Sequence, residues 1–161
     1  MIVLVVNVCT VIIESNYDSA RLLIDNGADI HHKNNHGSNA LMFAARSPDR
    51  RMTELLLAAD ANVDDTDSFG DTALIYGTLN NRTDSLVALL KAGANINHQN
   101  TSGFTTLSYA CEKGNSEIVK VLLQHAADVN LMTNDGDTCL SLAEAHGYTE
   151  IAQLLHEAAK K

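Results

Sequence analysis

Four stretches of the chain carry the same order of apolar and polar positions, each offset from the last by 33 residues. Gly37-Ser38-Asn39-Ala40-Leu41, Gly70-Asp71-Thr72-Ala73-Leu74, Gly103-Phe104-Thr105-Thr106-Leu107 and Gly136-Asp137-Thr138-Cys139-Leu140 open four units. A second landmark keeps the same period: Gly27-Ala28-Asp29-Ile30, Asp60-Ala61-Asn62-Val63, Gly93-Ala94-Asn95-Ile96 and Ala126-Ala127-Asp128-Val129. Two markers in one phase signal an array of stacked units rather than a single irregular core.

Within each unit the pattern predicts two helices. Thr72, Thr105 and Thr138, with Asn39 in their place in the first of the four, stand where a side-chain oxygen can cap the free amides of a first turn. Leu41, Leu74, Leu107 and Leu140 are followed three residues later by Ala44, Gly77, Ala110 and Ala143. That spacing makes one apolar face with room for a neighbouring helix. Phe43, Tyr76, Tyr109 and Leu142 share one position inside this helix and are assigned to the core. A turn such as Lys113-Gly114-Asn115 leads to a second periodic stretch, clearest from Ser116 to Leu123. Gly27 and Gly93 end their second helices in the left-handed conformation that glycine adopts at least cost. Ala126 occupies the same position, where that conformation would cost it what glycine is spared. The links that follow are polar and turn-rich (Asn34, Asn35, Gly37; Asn134, Asp135, Gly136) and read as β-turns or hairpins.

Helix, turn, helix and hairpin at this period resembles the ankyrin repeat. The resemblance runs along essentially the whole chain and is closest from Gly103 to Asn130. It implies an all-α ankyrin-repeat solenoid of about five helix-turn-helix units linked by β-hairpin-like turns, with about ten helices and no extended sheet. The single domain 1–161 divides into a degenerate repeat 1–33, repeats 34–66, 67–99 and 100–132, and a C-terminal cap 133–161. The family's Thr-Pro-Leu-His becomes Asn-Ala-Leu-Met, Thr-Ala-Leu-Ile, Thr-Thr-Leu-Ser and Thr-Cys-Leu-Ser. The missing proline leaves the helix intact, since proline there is a preference.

A net charge of −9 and a pI near 5.0 argue against nucleic acid and anionic membranes as partners. Cys9, Cys111 and Cys139 follow no framework spacing, which suggests reduced packing thiols and an intracellular, cytoplasmic setting. No apolar run is long enough to span a membrane. Residues 1–13 are apolar nearly all round, whereas a terminal repeat needs a polar outer face. Three explanations compete: a degenerate cap buried against repeat two, a piece of a longer array, and self-association through residues 1–13. No basic residue precedes the run, which reads against a signal peptide. At the other end, the helix Glu150 to Lys161 keeps Ile151, Leu154 and Leu155 on one face and reads as a true cap.

Asp65-Thr66-Asp67-Ser68-Phe69-Gly70 mimics the start of a calcium loop but lacks oxygen ligands at later positions, so it reads as a solvated turn tip. His31, His32 and His36 share one connection without a carboxylate or thiol at ligand spacing. No phosphate loop, nucleophile triad or zinc helix is present, so neither an enzyme nor a cofactor site is expected. What remains is binding. In the ankyrin family, partners are gripped by hairpin tips and first helices lining a concave face. Carried onto this chain, the resemblance implies Asn35, His36, Ser38, Arg46 and Ser47 in repeat two, and Ser68, Phe69, Asp71, Leu79 and Asn80 in repeat three. Repeat four supplies Thr101, Ser102, Phe104, Glu112 and Lys113; the last unit supplies Asn134, Asp135, Asp137, Ala145 and His146. Phe69, Phe104 and Arg46 are the expected anchors, since aromatics and arginine dominate interface energetics. Packing of a phenylalanine on an adjacent tip is the competing reading. The leading function is a non-catalytic adaptor or inhibitor that binds a protein partner. Alternatives are a structural segment of a larger array, and a substrate of an asparaginyl hydroxylase. For the latter, Asn130, eight residues after Leu122, and Asn97, after Leu89, resemble sites modified in ankyrin repeats.

Overall fold

The computed structural model describes residues 8–14 and 16–160. Among them are ten α-helices: α1 (Val8–Ile13), α2 (Tyr17–Asp25), α3 (Ala40–Arg46), α4 (Arg50–Ala58), α5 (Ala73–Leu79), α6 (Thr83–Lys91), α7 (Thr106–Glu112), α8 (Ser116–Gln124), α9 (Cys139–Ala145) and α10 (Thr149–Ala158). The described residues contain no strand, only an isolated antiparallel bridge between Thr66 and Thr72. Capping explains where the helices start. The side chains of Asn39, Thr105 and Thr138 accept from the backbone N–H of Met42, Ser108 and Ser141, as expected for N-caps. Thr72 departs from the expectation: it is the N-cap of α5, yet its hydroxyl makes no capping bond and is buried without a partner. The second helices have caps of their own at Asn16, Asp49 and Asn115.

Helices of equal rank pack along the array: α1, α3, α5, α7 and α9 form one layer and α2, α4, α6, α8 and α10 the other. Leu41, Leu74 and Leu107 are buried between successive first helices, together with Ala44, Ala110 and Ala143. Met52, Leu56, Leu86, Leu89, Ile118, Leu122, Ile151 and Leu155 bring the second helices into the same continuous core. Successive units thus share one stacked core, as in a solenoid. The core assignment of the shared aromatic position needs correction. Leu142 is buried, whereas Phe43, Tyr76 and Tyr109 are half-buried and pack against the edge of the core.

Four further outcomes bear on the sequence expectations. Ala126 has φ 59°, in register with Gly27 at 79° and Gly93 at 89°; Asp60, at the same repeat position, has φ 62°. Of the apolar segment 1–13, residues 1–7 lie outside the described residues, while Val8, Cys9, Val11 and Ile12 are buried and Ile13 is 62% exposed. The C-terminal helix starts at Thr149 and ends at Ala158, with Ile151 and Leu155 buried as expected. Finally, Cys111 and Cys139 are neighbours: they sit on adjacent first helices with Cα atoms 5.5 Å apart, within the separation that a disulfide spans. Cys9 is a buried thiol whose pKa is raised, chiefly by burial.

Candidate functional site

The connections between helix pairs are built by one side chain each. Asn34 Oδ1 accepts from the amides of His36 and Ser38 at 2.9 and 3.0 Å. Asp67 Oδ1 accepts from Phe69 and Asp71 at 2.8 and 2.9 Å, and Asn100 Oδ1 from Ser102 and Phe104 at 3.0 and 2.9 Å. At the fourth turn Thr133 Oγ1 takes the amide of Asp137 at 3.2 Å. A short side chain that hydrogen-bonds the backbone just ahead of it is what makes asparagine and aspartate turn formers. Successive turns are then tied together. The amides of Ser68, Thr101 and Asn134 donate to the carbonyls of His36, Phe69 and Ser102 at 2.9, 3.0 and 3.0 Å. Gly103, with φ 77°, lies so close to the next turn that a Cβ would fall 2.6 Å from the Asn134 nitrogen. Only glycine meets both demands.

Below the tips runs a polar framework that links the turns to the first helices. Tyr76 Oη donates to Asp67 Oδ2 at 2.8 Å and lies 3.0 Å from Ser38 Oγ. One unit on, Asn100 Nδ2 donates to Asp71 Oδ1 at 2.7 Å and to Tyr109 Oη at 3.0 Å. The Tyr109 ring is packed by Phe104 at a centroid distance of 4.7 Å. Burial raises the pKa of Asp71, partly offset by the bond from Asn100, and burial likewise raises those of Tyr76 and Tyr109. Sequence reasoning missed this framework. Its signal was present in the 33-residue offsets of Asp67 from Asn100 and of Tyr76 from Tyr109.

The residues implied as partner-binding fall into three groups. Asn35, His36, Ser68, Phe69, Thr101, Ser102, Asn134 and Asp135 are exposed on the turns. Ser38 is buried and hydrogen-bonded to Tyr76. Asp71 and Asp137 are half-buried framework groups, the latter accepting from Ser141 Oγ at 3.1 Å. Phe104 is a half-buried ring packed at a tilt against Tyr109 of its own unit. At the far ends of the first helices, Arg46, Leu79, Lys113, Ala145 and His146 are exposed, and Asn80 and Glu112 half-buried. Ser47 is buried, and its Oγ accepts from the Asp49 amide at 3.1 Å. Lys113 pairs with Glu112 at 3.1 Å, and His146 stacks on Tyr148.

Asp67 of the calcium-like stretch is not solvated; its carboxylate is spent on Phe69, Asp71 and Tyr76. His31, His32 and His36 are exposed, and no group of side chains suited to a metal occurs among the described residues. Asn97 and Asn130 are both exposed. Asn97 Oδ1 takes the amide of Asp128 at 2.9 Å, while Asn130 Nδ2 donates to Asp128 Oδ1 at 3.2 Å.

A family model of ankyrin repeats in three copies matches residues 9–100 and again 83–161. The chain belongs to the ankyrin-repeat family. Ankyrin repeats generally serve as protein–protein interaction modules and are generally non-catalytic. No curated protein matches this ankyrin-repeat chain. None of its described helices is long and apolar enough to cross a membrane.

Proposed function

We propose that this chain is a non-catalytic interaction module, an adaptor or inhibitor, that holds a protein partner along the concave side of repeats two to four. In this reading the ten helices count as five units bounded at about residues 33, 66, 99 and 132, and the turns act as hairpin-like fingers. The observation that carries it is Phe69. Its backbone is fully used, the amide bonding Asp67 and the carbonyl receiving Thr101, yet its ring is 63% exposed. A polar residue would make the same backbone bonds, so the exposed aromatic surface has no part in folding. Exposed aromatic rings on a rigid scaffold are the groups that dominate interface energetics. Asn35, His36 and Ser102 flank it on the neighbouring tips, Asp135 stands one tip beyond, and Leu79, 40% exposed, adds apolar surface at a helix end.

The test is to capture a partner from the native host and compare wild type with Phe69→Ala. Loss of more than ~1 kcal/mol of binding by a variant with unchanged thermal midpoint supports the surface. Equal capture by the folded variant removes it.

A further inference from the structure

The chain contains five arginines against 20 acidic residues. Arg21, Arg50 and Arg51 pair with Asp25, Glu54 and Asp49 at 3.7, 3.4 and 2.6 Å. Arg46 and Arg82 pair with no carboxylate among the described residues, and the two lie together. They line a cavity of about 360 Å³ at the far ends of α1 and α3, where the turn after α5 comes in. Its apolar wall is Ile12, Ile13, Phe43 and Pro48. Ile13 stands 62% exposed there, one of the most exposed large apolar side chains described.

Helix ends alone do not account for this pair. The last carbonyls of a helix attract a cation, and Arg82 Nε does donate to the Arg46 carbonyl at 2.9 Å. That uses one of five guanidinium donors on Arg82 and none on Arg46. In a chain with nine excess negative charges, two guanidinium groups left without a carboxylate beside open apolar surface form a site complementary to an anion that also carries a hydrophobic group. The volume falls in the range of small-ligand clefts, large enough for two side chains of a peptide.

We propose that this cavity receives an acidic segment of a protein partner, with a carboxylate side chain held by Arg46 and Arg82 and a neighbouring large apolar side chain against Ile13 and Phe43. The inference rests on the protein-interaction reading above and extends it beyond the turn tips to the opposite ends of the first helices. Guanidinium binds carboxylate through two parallel hydrogen bonds, which makes the arginines selective for planar anions. The apolar wall supplies what a free anion lacks.

The experiment selects a displayed library of random dodecapeptides on the full chain at low salt. Enriched sequences should place Asp or Glu next to an aromatic or branched aliphatic residue. The best synthetic peptide should bind Arg46→Gln at least about tenfold more weakly, the loss expected when one partner of a desolvated charge pair is removed. It should also weaken as salt rises. Ile13→Ser should weaken the same peptide, and thermal midpoints should show both variants folded. Enrichment without acidic residues, or equal binding to Arg46→Gln, overturns the proposal. Peptides lost on Phe69→Ala but kept on Arg46→Gln would overturn it while leaving the turn-tip reading standing. A wild-type dimer in sedimentation that Arg46→Gln dissociates would make a second copy the occupant and would overturn it as well.

Discussion

Phe69 and Phe104 stand on successive turns that share the same internal hydrogen bonds, and they end up in opposite environments. Phe69 precedes its glycine and projects into solvent; Phe104 follows its glycine and lies on Tyr109 at 4.7 Å. The left-handed glycine between the two positions, Gly70 or Gly103 at φ 77°, reverses the chain. A residue before it belongs to the tip, and a residue after it points back toward the first helix. Side-chain type alone therefore does not assign a phenylalanine in this fold to binding or to packing. Its place relative to one glycine does.

Substitutions in and around the two turns test this difference. The largest effect is expected for Asn100→Ala, which leaves the amides of Ser102 and Phe104 and the carboxylate of Asp71 without their shared partner. Loss of such a buried network should cost ~2–4 kcal/mol in chemical denaturation. Phe104→Ala should lower stability by ~1–2 kcal/mol through lost stacking and burial. If it proves neutral, the assignment of Phe104 to the framework fails. A backbone change outside both turns calibrates the scale. Ala126→Gly should raise stability by ~0.5–1 kcal/mol, because it relieves an alanine held at positive φ; a lowered denaturation midpoint would refute that strain.

Asp71 tests the electrostatics beneath Phe104. Burial raises its native pKa above the unfolded value, so the native state carries that penalty above the native pKa and sheds it as pH falls through it. Asp71→Asn keeps an acceptor for Asn100 and should stabilise slightly at neutral pH. Measured against pH, the advantage should shrink on acidification; a constant difference would exclude the carboxylate as its source. The smallest effect on folding belongs to Phe69→Ala, within ~0.5 kcal/mol of wild type in the same denaturation assay.

Much of the array was legible in the sequence because its determinants repeat at one spacing. The leucines of the first helices, the caps at Asn39, Thr105 and Thr138, and the left-handed Ala126 all lie at positions that the period marks. Errors arose where a residue's role depends on a neighbour in the next unit or on a turn's direction. Ser38 looked free until Tyr76 of the following repeat reached it, and Asp67 looked solvated although it supports its own turn and Tyr76. Cys111 and Cys139 have no framework spacing, yet stacking brings their helices side by side. Arg82 lies outside the positions that the family resemblance implies, and it is its bond to the Arg46 carbonyl and its place in the same cavity wall that set it beside Arg46.

The close approach of Gly37, Gly70 and Gly103 to the turn that follows each of them joins units rather than completing them. Gain or loss of a whole 33-residue unit preserves every such junction, because each glycine still meets the same backbone one period on. A single inserted residue between two turns would move the glycine off its mate and set a side chain against a peptide nitrogen. On this geometry, a change of length in whole units keeps the junctions between turns, and a change by a fraction of a unit breaks one.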